Sequence, residues 1–362
     1  MSFKIEINKI RRSITRGLTK NIGSTKWDQN YNPNSKIDFK NVLISRPNHR
    51  LGNLLLITPL VQEINAVFPN CKIDLFIKGN LAPIIFENYS SVENYIVLPK
   101  KPFDNLFKYF SVWFKIREKK YDLVINIDKG SSSGRLSTQF ANANFKFFGE
   151  LNDEISQENP DYKHMAKYPV YEFRYYLNLI GFPKQQKEIP TIDIKLSDKE
   201  LNDAKLILDK IVPNTKKTIA IFTFATGDKC YSSEWWNPFY EKLKSTFPDH
   251  NIVEVLPVEN VSQIDFKAPS FYSKDIREIA AFIANTSLFI GADSGIMHLA
   301  SASQTPVLGL FSVTIPEKYE PYGNKSMAID TNTTNLESLI YIIKNHLNNI
   351  SLILSVFYLE LI

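Results

Sequence analysis

The sequence predicts an α/β protein made of two doubly wound, Rossmann-like domains that face a central cleft. Three observations lead there. The chain has 362 residues, beyond the ~100 to 200 typical of a single domain. From Asn41 onward, short apolar runs rich in branched residues alternate with longer segments of helical period, as in a parallel sheet with crossover helices. The same alternation resumes at Thr218, after a polar interval that starts at Gly181-Phe182-Pro183-Lys184 and extends to about Thr215.

In the first half, Val42 to Ser45 reads as a strand and Arg46 to Asn53 as a turn. Leu54 to Val67 reads as a helix, and Ile73 to Ile77, Tyr95 to Leu98 and Leu123 to Ile127 as further strands, with Leu106 to Glu118 the clearest crossover helix. In the second half, Thr218 to Phe224, Ile252 to Leu256, Leu288 to Ile290 and Val307 to Phe311 read as strands. Pro238 to Phe247, Ile276 to Ala284 and a segment through Ala302 read as helices, and amphipathic Leu336 to Leu347 closes the domain. The expected organisation is a basic extension over 1–40, an N-terminal Rossmann-like domain over 41–185, a C-terminal Rossmann-like domain over 186–349 and an apolar tail over 350–362.

Composition narrows the class. With 44% apolar and 22% charged residues, disorder and collagen-like repeats are excluded. Cys71 and Cys230 lie far apart, which fits a reducing compartment and gives no metal framework. The first residues lack a signal-peptide core, so a cytoplasmic location is expected. The formal charge of +5 is concentrated in residues 1–40, which carry +6 while the remainder carries −1. That distribution speaks against a nucleic-acid partner. Within the leader, Ile7, Ile10, Ile14 and Leu18 recur at helical spacing between basic residues, as in a helix on an anionic membrane surface or a solvated leader. Ile350 to Ile362 is almost wholly apolar but spans 13 residues, short of the ~20 a crossing helix needs.

Open α/β sheets bind ligands beyond the carboxyl ends of their strands, and three such loops carry chemistry. Gly291-Ala292-Asp293-Ser294-Gly295-Ile296-Met297-His298 leaves a strand and enters a helix. Its free backbone N–H groups and the helix dipole suit a phosphate, unless Asp293 and Ser294 only cap the helix. Ala225-Thr226-Gly227-Asp228-Lys229 puts an ammonium at a second strand end. In the turn after the first strand, His49 is a candidate general base, and Arg46 and Arg50 are candidate anion ligands on the acceptor side. The chain has no G-x-G-x-x-G, no P-loop, no D-x-D and no His pair at i, i+4, so dinucleotide, P-loop and zinc chemistry lack their residues. Ser294 is not in a G-x-S-x-G elbow, which weakens a serine-hydrolase reading.

Leu288 to Ala302, continuing through Thr305-Pro306-Val307 and Leu310-Phe311, resembles the heptosyltransferase-like sugar transferases of glycosyltransferase family 9. So do Arg50-Leu51-Gly52-Asn53, Thr58-Pro59-Leu60 and Phe68-Pro69. The strand end with Lys229, followed by Trp235 and Trp236, is similar to the family's phosphate-gripping segment. The resemblance covers 41 to about 345. It implies a GT-B architecture, an ADP-heptose or related nucleotide-sugar donor, and a membrane-anchored glycolipid acceptor such as lipopolysaccharide core. It also implies inversion at the anomeric centre and no metal or other cofactor. Carried over, Thr226 and Lys229 hold the diphosphate, and Asp293, Ser294, Gly295 and His298 complete the nucleotide site. Glu259 is a candidate for sugar or ribose hydroxyls.

One residue departs from the pattern. Where the family commonly has Gly-Asp with the Asp as catalytic base, this chain has Gly52-Asn53, and an amide cannot take a proton at neutral pH. His49 and Asp128 are the candidate replacements. The alternative is a catalytically silent sugar-nucleotide-binding partner in a glycan assembly complex. The expected location is cytoplasmic, at the inner face of the cytoplasmic membrane if the basic leader docks there.

Overall fold

The computed structural model describes residues 17, 19, 21–25, 37–99 and 106–359. The pattern of Ile7, Ile10, Ile14 and Leu18 therefore lies outside the described residues. The chain divides into two units, Met1–Thr191 and Ile192–Ile362, each built on one all-parallel sheet.

In the first unit the strands are β1 (Asn41–Ser45), β2 (Lys72–Lys78), β3 (Val92–Leu98), β4 (Lys120–Asn126) and β5 (Asn142–Phe147), in the order β3-β2-β1-β4-β5. Val42, Leu43 and Ile44 of the central strand are completely buried, as expected where helices cover both faces of a parallel sheet. The order reverses between β1 and β4, because the chain winds out through β2 and β3 and then returns to the other side of β1.

The second unit repeats the design with β6 (Lys217–Phe222), β7 (His250–Val255), β8 (Ser270–Phe271), β9 (Leu288–Ala292), β10 (Val307–Phe311) and β11 (Met327–Asp330). Their order is β11-β10-β9-β6-β7-β8, with the reversal between β6 and β9. Its core joins Ile219, Ile221, Leu288, Ile290, Leu308 and Leu310 from the strands to Trp236, Phe239, Leu339 and Ile343 from the helices.

Most predicted elements are present, with informative differences. The helix expected over Leu54–Val67 is two helices, Leu51–Leu55 and Thr58–Val67. Pro59 lies in the first turn of the second, and the Thr58 hydroxyl donates to the Leu55 carbonyl at 2.9 Å across the break. Proline has no N–H to continue a helix but fits its start. The helix expected from Pro238 begins earlier, at Ser233, and contains Pro238. Trp236 is fully buried and Trp235 packs on the same cluster, so tertiary packing sets that start. The polar interval before Thr215 contains a helix, Asp198–Ile211, opened by a capping box between Ser197 and Glu200. Glu200 then takes Arg277 of the helix Ile276–Ala284 through Nε at 2.5 Å and Nη2 at 3.1 Å, which fastens the two helices. The last helix runs from Leu336 to Leu359, so the apolar tail begins inside it. Among the described residues no helix is long and apolar enough to cross a membrane.

Part of the leader is anchored to the first unit. The carbonyl and hydroxyl of Thr19 accept from the buried Arg135 guanidinium at 2.7 and 2.9 Å, and the Thr19 hydroxyl donates to Ser132 at 2.7 Å. Thr25 gives its N–H and hydroxyl to the Glu150 carboxylate at 3.1 and 2.5 Å.

Gly149 follows β5 at φ +71°, and a Cβ there would stand 2.4 Å from the Asn126 carbonyl oxygen. Gly149→Ala should lower stability by about 1–3 kcal/mol through strain and overpacking. Urea unfolding of the wild type and the variant measures it, and equal midpoints would contradict it.

Candidate functional site

The two reversals place the chemistry. In open α/β sheets the crevice beyond the carboxyl ends, where the strand order reverses, is where ligands bind. In the second unit this point lies beyond β6 and β9, which pair Phe222 with Gly291. The loop after β6 carries Thr226 and Lys229, and the loop after β9 carries Asp293 and Ser294.

The two loops meet through an ion pair. Lys229 Nζ lies 3.0 Å from Asp293 Oδ2, with the lysine side chain 32% exposed and the carboxylate nearly buried. The same oxygen accepts the Thr314 hydroxyl at 2.6 Å. Asp293 therefore holds Lys229 in place and does not cap the following helix. That task falls to Ser294, whose Oγ accepts the Met297 N–H at 3.2 Å at the start of the helix Gly295–Ala302. The His298 N–H bonds the Ser294 carbonyl at 3.4 Å. The first two N–H groups of the helix, on Gly295 and Ile296, have no partner along the helix by its geometry, and both residues are partly exposed. An ammonium and two helix-opening amides thus converge at one strand end, an arrangement suited to an anion. Sequence reasoning expected the amides and Lys229 but missed the pairing with Asp293 and the role of Thr314. The position of Thr314 just after β10, the next strand in the sheet, is the signal that could have found it.

His298 is buried one turn into the helix, and its Nδ1 has no hydrogen-bond partner. Burial favours the neutral ring; Asp293 pulls toward protonation and Lys229 against it, and the result is a pKa pushed down to about 4. An exposed, unfolded histidine titrates near 6.5. The folded state then binds fewer protons than the unfolded state between those values, so stability is full above pH 6.5 and falls as the pH drops toward 4. His298→Gln should flatten this part of the curve of thermal midpoint against pH; an unchanged slope would contradict the assignment.

Of the other donor-side candidates, Thr226 is exposed and precedes the 3-10 turn Gly227–Lys229 without capping it. Glu259 is exposed in the loop after β7. Sequence reasoning passed over Glu254, a buried carboxylate of β7 that accepts Thr223 Oγ1 at 2.6 Å and Ser262 Oγ at 2.7 Å. Burial raises its pKa against the pull of these two donors. Thr223 directly follows β6, so Glu254 braces the root of the Lys229 loop.

In the first unit the reversal lies beyond β1 and β4, where Ser45 pairs with Asn126. Three predicted residues meet there. The buried Arg46 guanidinium donates through Nη1 to Asp128 Oδ2 at 2.8 Å and through Nη2 to Asn53 Oδ1 at 2.9 Å. Asp128 Oδ1 accepts the Gly130 N–H at 2.8 Å, and its carboxylate remains 39% exposed. Arg46 was expected to bind an anion from outside. Both of its terminal nitrogens are instead bonded to these side chains, so it clamps Asp128 beside Asn53. His49 and Arg50 are exposed on the same turn. Among the described residues, no three His, Cys, Asp or Glu side chains gather as a metal site requires.

Residues 273–341, which include the Asp293–His298 loop, match the family described as glycosyltransferase family 9 (heptosyltransferase). The lipopolysaccharide core heptosyltransferase OpsX of Haemophilus influenzae is 21% identical over 295 residues, covering 76% of this chain and 80% of that protein. The glycosyl transferase family 9 structure from Veillonella parvula superposes with a TM-score of 0.68 at 17% identity, covering 88% of this chain and all of that one. The E. coli heptosyltransferase WaaC with ADP gives 0.60 at 15% identity, covering 84% and 99%. On these matches the chain is similar to the heptosyltransferases of glycosyltransferase family 9, with the family match itself lying over residues 273–341.

Proposed function

We propose that the protein transfers heptose from ADP-heptose to a hydroxyl of lipopolysaccharide core or a related surface glycolipid, with inversion and without a metal. The observation that carries this reading is the Lys229 ammonium, 3.0 Å from Asp293, beside the open N-terminus of the helix Gly295–Ala302. Diphosphate is a poor leaving group unless its developing charge is taken up, and fixed N–H donors with an ammonium take it up without reorganisation. In the displacement, the acceptor oxygen bonds to the anomeric carbon as the bond from that carbon to the diphosphate oxygen breaks. The acceptor's proton passes to a base on the first unit.

Asp128 is that base. Arg46 holds it next to position 53, where the family commonly has its catalytic Asp, and its partial exposure leaves lone pairs open to a hydroxyl. Thr226, Ser294, Gly295 and His298 contribute to the donor site, Glu259 meets sugar or ribose hydroxyls, and Arg50 meets the acceptor. The relatives' names support the substrates: one is a lipopolysaccharide core heptosyltransferase and another was solved with ADP.

The protein works on the cytoplasmic side, with its basic leader docked to the inner membrane surface. The +6 charge of residues 1–40 supports this placement, and Thr19 and Thr25 tie the leader to the segments that follow Asp128 and β5. Asn53 favours a second reading, a silent sugar-nucleotide-binding partner. Incubation with ADP-heptose and core acceptor separates the two: release of ADP coupled to a heptosylated product supports the enzyme, and donor binding without turnover on any core acceptor supports the partner.

A further inference from the structure

The helix Leu106–Glu118 crosses from β3 to β4 and has two unlike faces. Inward, Val112 and Ile116 are buried, with Tyr109 and Trp113 packed on the same cluster as Leu43, Phe76 and Tyr121. Outward, at spacings of three and four, stand Phe107, Phe110 and Phe114, which are 87%, 56% and 69% exposed. Phe140, 47% exposed, continues the patch beside Trp113 at a ring separation of 5.8 Å. Three phenylalanines presented to water on one stripe serve neither the core nor the site at the carboxyl ends of the strands, and exposed apolar patches of this kind mark interaction surfaces.

The charges around the stripe identify what it meets. Lys115, Arg117 and Lys120 are exposed at this end of the helix; of the exposed acids there, Glu118 is on the helix and Glu93 of β3 is already paired with Lys119 and Lys72. Burial, together with the nearby Arg117, lowers the proton affinity of Lys146 on the neighbouring strand β5, so a further cation sits close by. Aromatic side chains flanked by Lys and Arg are the composition of a helix that lies in the headgroup region of an anionic bilayer. The rings enter the acyl boundary and the cations meet lipid phosphates. A second copy of the chain on this face would instead bring like charges together.

We propose that the Phe107, Phe110 and Phe114 stripe, with Lys115 and Arg117, is a membrane-docking surface that seats the first unit on an anionic lipid bilayer. The inference deepens the glycolipid-acceptor reading and rests on it, since an acceptor embedded in a bilayer must be met at the bilayer surface. It assigns lipid contact to a folded helix separate from the leader.

The test is sedimentation of the full-length protein with vesicles of phosphatidylethanolamine and phosphatidylglycerol, against vesicles of phosphatidylcholine alone. The wild type should partition onto the anionic vesicles and lose binding in high salt. Phe107→Ala, Phe110→Ala and Phe114→Ala combined should lower partitioning by about tenfold or more, and Lys115→Glu with Arg117→Glu should act in the same direction. Phe114→Glu alone carries the same test if the triple variant does not fold. Turnover of a delipidated, water-soluble acceptor should be unchanged in all of them. Equal binding of wild type and variants would overturn the proposal. So would a wild-type dimer that the triple variant dissociates while vesicle binding stays the same. The vesicles contain neither donor nor acceptor: binding without sugar transfer counts against the functional reading alone, and sugar transfer without vesicle binding counts against this surface alone.

Discussion

Replacing Lys229 with alanine should lower kcat for ADP release by about 100- to 1000-fold, the usual effect of removing one preorganised donor to a developing anion. The fold should survive. The lysine side chain is partly exposed, its partner Asp293 keeps the Thr314 hydroxyl, and Ser294 caps the helix independently. The loss should fall mainly on kcat, because the charge that Lys229 meets grows as the sugar departs. Lys229→Arg should recover part of the rate, since it keeps the cation but changes its shape. Initial rates of ADP release, with donor affinity measured by calorimetry, separate this from a simple loss of binding. Undiminished kcat in Lys229→Ala would remove the ammonium from the mechanism.

The second large effect concerns the base. Asp128→Asn should reduce transfer by about 100- to 10,000-fold, the span associated with general base catalysis. The amide oxygen can still accept from Arg46 or Gly130, so the local structure should remain. Asn53→Asp placed in that variant should restore part of the rate, because the new carboxylate would sit on the same Arg46 guanidinium that now bonds the Asn53 oxygen at 2.9 Å. His49→Ala should cost less than about tenfold, as expected for an exposed residue outside the clamp. If His49→Ala abolished transfer and Asp128→Asn did not, the two assignments would exchange. If neither variant changed a measurable rate, the base would lie elsewhere.

Much of this was legible in the sequence because buried parallel strands announce themselves as continuous runs of branched residues. Val42–Ile44, Ile219–Ile221 and Val307–Phe311 are apolar runs close to this kind, and all three became interior strands. The strands that escaped notice are those without such runs. β5 reads Asn-Ala-Asn-Phe-Lys-Phe at the sheet edge, and the edge strands β8 and β11 have only two and four residues. The loops after β6 and β9 were recognisable from Lys229 and the Asp293-Ser294-Gly295 turn, since strand ends that precede helices are where anions bind. The clamp was not recognisable as such. Arg46, Asn53 and Asp128 were each singled out, but their union depends on β1 lying beside β4, a pairing no local pattern encodes. For the same reason Asp293 looked like a helix cap or a nucleotide ligand, and Thr314 and Glu254 went unnoticed. Their partners lie 21 and 31 residues away in sequence.

The central claim is that an ammonium and helix-opening amides of the second unit receive the diphosphate of a sugar donor. A crystal structure with ADP-heptose, or with a non-transferable analogue, tests it most directly. The account predicts a phosphate oxygen within hydrogen-bond reach of Lys229 Nζ and of the Gly295 or Ile296 N–H. A diphosphate bound away from these groups, with Lys229 still paired only to Asp293, would contradict it.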